Sequence, residues 1–133
     1  MPIGKIRKTI LTVLAISAGF VMMPRAAEAH HGWSDFEAAK EVSFQGTVVA
    51  FHYTNPHCVV EFEVTDDKGQ VKKWEGEFAS PGELQRKGWN PNSLEAGDKL
   101  TISGHPSRDG SLAIHVSKIA VNGKELQLEK YSR

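Results

Sequence analysis

Residues 42–64 constrain the fold more than any other stretch, because they read as two antiparallel strands joined by a tight turn. In the second half of the stretch, Val60 and Phe62 alternate with Glu61 and Glu63. This period of two is typical of a strand that has one face in a core and the other in solvent. The stretch therefore predicts a β-hairpin.

The turn of this hairpin is predicted at residues 53–56, which places His52 and His57 opposite each other. Directly opposed residues on antiparallel strands have Cβ atoms about 4.5–5.5 Å apart. Two imidazoles at that separation can share a metal ion, or they can be ordinary residues at the end of a hairpin. Gly46 interrupts the alternation of the first strand and is predicted to mark a bend or a bulge.

The first 29 residues have the pattern of a secretory signal peptide. A basic start precedes an apolar run of 14 residues at positions 10–23, and Ala27-Glu28-Ala29 is an A-x-A cleavage site. The run is shorter than the roughly 20 residues that a membrane-spanning helix needs. The sequence predicts a periplasmic or secreted protein that is one mature domain, residues 30–133, with an N-terminal arm over residues 30–41. An uncleaved anchor is the alternative.

Removal of the leader changes the charge of the chain. Four of the 16 basic residues and one of the 16 acidic residues lie in the leader. The mature domain therefore has 12 basic and 15 acidic residues, a net charge of −3. This balance argues against a nucleic-acid-binding protein, which normally carries a basic surface. Cys58 is the only cysteine, so no internal disulfide forms. Because it shares the face of Val60 and Phe62, we expect a buried thiol rather than a metal ligand.

A third strand at residues 71–78 follows the hairpin. After it, the sequence predicts one helix and three more strands, the last of them short. Ser80 is predicted as an N-cap, with Pro81 at the first helical position and Glu83 completing a capping box; Gly88 ends the helix. The order of three strands, one helix and two strands predicts an all-β, OB-like five-stranded barrel with a short extra C-terminal strand. An SH3-like barrel or a small sandwich is the alternative.

OB-folds bind ligands on the face of strands 2 and 3 and with the loops that join strands 1–2 and strands 4–5. His57 follows the first of these loops in the sequence, and His105 precedes the second. The fold therefore predicts that these two histidines converge on one rim of the barrel. His115 lies next to Ile114 on the opposite face of its strand, so we expect it to be solvent-exposed.

The predicted mature N-terminus adds further nitrogen ligands. His30 would offer its amino group and imidazole as a chelating pair, and His31 a third nitrogen. Imidazole donors suit copper, zinc and nickel, and the affinity order favours copper among these. The alternative is a disordered His-His pair that cleavage happens to expose. The predicted metal site therefore comprises His30, His31, His57 and His105, with copper as the ion and zinc as the alternative.

A metal-free binding site on the same rim is the competing hypothesis. Its candidate residues are polar or aromatic: His52, Tyr53, Asn55, Glu77, Trp89, Arg108 and Asp109. Glu77 is either part of a solvated edge or an acceptor for a histidine. Arg108 either belongs to a turn with Asp109 or holds an anion at the rim. Such a site would take a small ligand or a partner protein.

The sequence gives little support to catalysis. It contains no Ser-His-Asp arrangement, phosphate-binding loop or carboxylate pair at a recognisable spacing. A copper oxidase or oxygenase built on His30 is the third hypothesis, and no substrate cleft is visible for it in so short a chain.

Several short motifs are spread along the mature chain. They are His30-His31, Asn55-Pro56-His57, the S-P-x-x-L-x-R-x-G-W run at residues 80–89, Gly97-Asp98, and the H-P-x-R-D-G run at residues 105–110. On these motifs the chain resembles a family of small exported bacterial proteins known as a domain of unknown function. The resemblance implies no activity. His30, His31, His57 and His105 fall on its motif positions, whereas His52, Cys58 and His115 do not.

Overall fold

The computed structural model describes residues 33–129, and the elements follow the predicted order. They are a 3₁₀ turn (Trp33–Asp35), β1 (Val42–His52), β2 (Val59–Thr65), β3 (Val71–Glu77), α1 (Pro81–Gln85), β4 (Lys99–Pro106), β5 (Ala113–Val121) and β6 (Lys124–Leu126). The predicted leader, its cleavage site and the His30-His31 pair lie outside the described residues. In the described part of the chain, no helix is long and apolar enough to cross a membrane.

Five strands close into a barrel. Neighbours in the sheet follow the order β3-β2-β1-β4-β5 in antiparallel pairs. Residues 75–77 of β3 then pair in parallel with residues 113–115 of β5 and complete the ring. β6 is hydrogen-bonded to β5 outside the ring. With α1 between β3 and β4, this is the arrangement of an OB-like barrel, so the predicted fold is confirmed.

Alternate residues of the strands fill the barrel. Phe62, Ile102 and Ile114 are completely buried, and the other core residues are Val48, Cys58, Val60, Phe78, Leu84, Trp89, Leu94, Leu100, Val116, Ile119 and Val121. The hydrophobic effect of this core holds the domain together, since its single cysteine forms no internal bridge. Burial also raises the pKa of the Cys58 thiol, in agreement with its predicted role as a core residue.

The connection between β1 and β2 is longer than predicted, so His52 and His57 do not face each other. His52 is paired with Val59, and the loop between the strands is six residues long. The reason lies in Cys58, whose backbone exchanges hydrogen bonds of 3.0 and 2.8 Å with residues 78–79. The end of the loop is therefore held by the chain that follows β3, and His57 lies beside β3 rather than β1.

The irregularity in β1 also lies elsewhere than predicted. The bulge falls between Val48 and Ala50, whereas Gly46 stays in the regular ladder with β4. A Cβ atom on Gly46 would lie 2.5 Å from the carbonyl oxygen of Glu63. Glycine is therefore needed there because β1 and β2 approach closely, and not because the strand bends.

The predicted start of α1 is confirmed and its end is earlier than expected. The Oγ of Ser80 accepts a hydrogen bond of 3.3 Å from the backbone N–H of Glu83, with Pro81 in the first turn. The helix ends at Gln85, and the chain turns away at Gly88, which has a φ of 89°. This short helix places the buried Leu84 in the core.

Candidate functional site on the outer barrel wall

A row of polar side chains crosses the outer wall of the barrel where β3, β5 and β4 lie side by side. Glu77 is paired with His115, and His115 is paired with His105. The neighbours of His115 along the strand, Ile114 and Val116, are buried in the barrel, so the imidazole points outward. Directly opposed residues on antiparallel strands, as His105 and His115 are, have Cβ atoms about 4.5–5.5 Å apart. Three residues far apart in sequence are thus neighbours.

His57 joins this row from the loop between β1 and β2. Its Nδ1 lies 3.2 Å from Oε1 of Glu77, and the two side chains are 39 % and 16 % exposed. This contact brings Glu77 next to a histidine, and its predicted role as an acceptor for that histidine stays a prediction. We call His57, Glu77, His115 and His105 the histidine row.

The N-terminal arm packs against the histidine row. Phe36 is buried, and its ring meets that of His115 edge-on, with the ring centroids 5.6 Å apart. The Nδ1–H of His105 donates to the carbonyl oxygen of Lys40 over 2.6 Å. The arm therefore holds both histidines in place.

Backbone hydrogen bonds and Arg108 fix the arm to the end of β4. The N–H of Glu37 donates to the carbonyl of Pro106 over 2.8 Å. Arg108 donates its backbone N–H to the carbonyl of Asp35 over 2.8 Å and its Nε–H to that of Ser34 over 2.9 Å. Arg108 thus anchors the arm, a role that the sequence analysis did not foresee.

His115 is half-buried, so the prediction that it is solvent-exposed is wrong. The strand alternation correctly placed it outside the barrel, but the arm covers the wall at this point. Burial, together with the nearby imidazoles of His105 and His57, lowers the pKa of His115 below its ordinary value. His115 is therefore neutral at pH 7, and neutral imidazole is the form that binds metals.

The histidine row is not a finished metal cage. Within residues 33–129, no three His, Cys, Asp or Glu side chains are arranged to enclose an ion. The other two predicted ligands, His30 and His31, lie outside this part of the chain. The structure therefore links His57 and His105 to the same wall through Glu77 and His115, without showing a complete ligand set.

His52 belongs to a different cluster. Its Nε2 lies 2.9 Å from Oε1 of Glu61, and the ammonium of Lys73 contacts the other carboxylate oxygen. The hydrogen bond from Lys73, and after it the one from His52, lowers the pKa of the Glu61 carboxyl. His52, at the end of β1, thus contacts Glu61 on β2 and is not part of the histidine row.

The two predicted rim aromatics have structural contacts instead. Trp89 is 4 % exposed, and its Nε1–H donates to the carbonyl of Gln127 over 2.7 Å, so its predicted place on the rim is wrong. The hydroxyl of Tyr53 donates to the carbonyl of Pro81 over 2.8 Å. Asn55 is exposed in the same loop.

Asp109 supports the turn between β4 and β5. Its Oδ1 accepts hydrogen bonds from the Ser107 hydroxyl over 2.7 Å and from the backbone N–H of Ser111 over 2.8 Å. Turn formation is thus one role of Asp109, as the sequence alternative proposed.

A groove of about 410 Å³ lies next to the histidine row, between β3 and the β4–β5 loop. Its lining combines carboxylates with apolar side chains, among them Glu75, Glu77, Asp109, Val59, Leu112 and Ala113. Its volume is within the range of small-ligand sites, about 300–1,000 Å³. This is the face on which OB-folds commonly bind their ligands.

The fold and the wall together define a small OB-like β-barrel with a histidine-bearing outer face. The chain belongs to a family of unknown function, DUF6152, whose model matches residues 19–115. The match ends at His115 and therefore includes every member of the histidine row. No curated protein matches the chain.

Proposed function

We propose that this protein is an exported metal-binding domain, with copper as its preferred ion and zinc as the alternative. The observation that carries the proposal is the register of β3, β5 and β4, which places Glu77, His115 and His105 side by side. Imidazole nitrogen is a good ligand for both ions, and the general affinity order favours copper.

Two imidazoles are already oriented as metal ligands usually are. A metal-binding histidine commonly engages its other ring nitrogen on a carboxylate or a backbone carbonyl, which fixes the orientation of the ring. Nδ1 of His57 contacts Glu77, and Nδ1 of His105 is bonded to the carbonyl of Lys40. Nε2 of each ring is then the ligand atom.

The remaining ligands come from the amino terminus in this proposal. Cleavage after Ala29 makes His30 the first residue, so its amino group and imidazole chelate an ion together. His31 precedes Ser34 by three residues, and that length of chain spans at most about 11 Å. Ser34 is itself held by Arg108 at the end of β4. In this proposal the arm carries the two terminal histidines to the wall.

The test is calorimetric titration of the exported protein with Cu²⁺ and Zn²⁺, after mass spectrometry has identified its first residue. We expect about one ion per chain and a mass that begins at His30. In the double variant His57→Ala, His105→Ala, the affinity should fall at least about tenfold, because loss even of an orienting partner typically costs 10–100-fold.

His52→Ala is the matched control, because this histidine is engaged with Glu61 outside the row. It should leave the affinity unchanged. Equal affinity in the wild type and the double variant would overturn the barrel site and leave only the amino terminus as a ligand. An extra residue before His30 would remove the chelating amino group.

The groove favours a second function, in which the domain binds a ligand or a partner protein without metal. The observation behind it is the mixed apolar and acidic lining on the face that OB-folds commonly use. This function does not depend on the histidines.

A further inference from the structure

We propose that the groove docks a basic, extended segment of a partner protein. This inference rests on the second, metal-free function, and its groove shares Glu77 with the proposed metal site. Charge complementarity, an open strand edge and exposed apolar side chains support it, in that order.

The groove has an excess of negative charge. The carboxylates of Glu75, Glu77 and Asp109 line it, and Lys73 brings the one ammonium among its described residues. The Lys73 ammonium is already paired with Glu61. Glu75 is exposed, and its negative charge acts on the Lys73 ammonium two residues before it. A lysine or arginine side chain from a partner would add positive charge beside these carboxylates.

The edge of β3 beside the groove is only partly paired. Residues 75–77 pair with β5, but residues 71–74 have no strand on that side in the described part of the structure. An extended peptide can add to such an edge through its backbone and present alternate side chains to the same face. The groove and the open edge together thus accommodate a strand-like segment.

The most exposed large apolar side chains of the described residues flank this edge. Val71, which is 61 % exposed, begins β3, and Leu112 is 42 % exposed. The carbonyl of Leu112 accepts the N–H of Glu75 over 2.9 Å, so Leu112 lies where the open edge ends. Exposed apolar side chains rimmed by charges are typical of interaction surfaces. The partner segment should therefore alternate basic and apolar residues.

A second copy of this chain fits the edge less well. Antiparallel pairing of two β3 edges brings the Lys72–Lys73 segments of both copies together, and directly opposed like charges destabilise a sheet. A nucleic acid is disfavoured by the carboxylates, because its affinity for proteins depends on phosphate neutralisation. A basic peptide segment also runs beside Lys72 and Lys73, but their ammonium groups are paired with Asp66 and Glu61, and its other basic side chains reach Glu75.

The probe is a fluorescent, capped pentapeptide of alternating lysine and valine, titrated by anisotropy against the exported protein in EDTA. We expect saturable binding that weakens at least about tenfold in Glu75→Lys. The same loss is expected at about 1 M salt, where the Debye length is about 3 Å. Glu125→Lys is the matched control, since Glu125 is exposed on β6 outside the ring, and it should leave the affinity unchanged.

Glu75→Gln, a milder change at the same exposed site, should weaken binding less than Glu75→Lys does, and circular dichroism checks that both variants fold. No binding, or an equal loss in Glu125→Lys, would overturn the proposal. Equal binding of a peptide with an N-methylated backbone would also overturn it, because that peptide cannot pair with β3. Preference for a glutamate–valine peptide would keep a metal-free binding function and overturn the basic partner. Because EDTA removes metal, none of these results bears on the metal site.

Discussion

The interior of the barrel and the outer wall at β3, β5 and β4 are built on different kinds of information. Interior positions such as Phe62 and Ile102 follow from alternation within a single strand, which is a local property of the sequence. On the wall, Glu77, His115 and His105 become neighbours only because three strands pair in one register. A period of two in the sequence therefore predicts which face of the sheet a residue occupies, whereas the pairing of the strands decides which residues lie next to it.

The two regions also differ in what supports them. The interior is enclosed by the ring of strands together with α1 and the segment after it, which contribute Leu84 and Trp89. On the wall, His115 and His105 are covered by an arm that is attached through a few hydrogen bonds and through Phe36. We therefore expect the wall to open locally while the interior unfolds with the whole domain.

The largest effect is expected from Phe62→Ala, which removes a completely buried ring. Such truncations typically lower the free energy of unfolding by about 3–5 kcal/mol. Urea denaturation measures the change, and Val71→Ala is the control, because a side chain this exposed should change stability by less than about 0.5 kcal/mol. A loss below that limit in Phe62→Ala would mean that the interior does not determine stability.

An intermediate, local effect is expected from Phe36→Ala. Burial of a Phe side chain contributes about 1.5–3 kcal/mol, so this change should weaken the attachment of the arm to the barrel by a similar amount. Hydrogen exchange should become faster at the amides of Glu37 and Arg108, which bond across the junction, and remain slow in the barrel. Ala39→Ser, at an exposed position of the arm, is the control. Faster exchange throughout the barrel would show that arm and barrel open as one unit.

The smallest effect is expected from Glu61→Gln on the outer face of β2. Because hydrogen bonds from Lys73 and His52 lower its pKa in the folded state, the Glu61 carboxylate stabilises the fold above its ordinary pKa of about 4.3. That contribution is lost as the pH falls through the lowered folded-state pKa.

The urea midpoint of Glu61→Gln should therefore lie below that of the wild type at neutral pH. The difference should shrink as the pH falls through the lowered folded-state pKa, and it should disappear once Glu61 is protonated in both states. Glu125→Gln should show no such pH-dependent difference, because Glu125 is exposed on β6. A difference in urea midpoint that persists at acidic pH would mean that Glu61 stabilises the fold through its packing and not through its charge.

Much of the fold was predictable from local signals. The alternation in β2, the Ser80 cap and the helix between β3 and β4 all indicate the barrel that is observed. These signals lie within a few residues of one another, so no knowledge of the tertiary structure is needed to read them.

The errors arose where distant segments decide the outcome. The pairing of His52 depends on the bonds between Cys58 and the chain after β3, and the burial of His115 depends on the arm. Trp89, an aromatic candidate for the rim, instead has its ring in the core. A neighbouring apolar residue such as Ile114 shows that His115 faces outward, but it carries no information about what covers that face.

Closure of the barrel has one further consequence. The pairing between β3 and β5 that closes the barrel is three residue pairs long, with Glu77 on one strand and His115 on the other. A ligand that contacts both Glu77 and His115 stabilises this pairing, because its binding free energy adds to the free energy needed to separate β3 from β5. Local opening of the barrel between β3 and β5 is thus coupled to the binding of any ligand that contacts both strands on the outer wall.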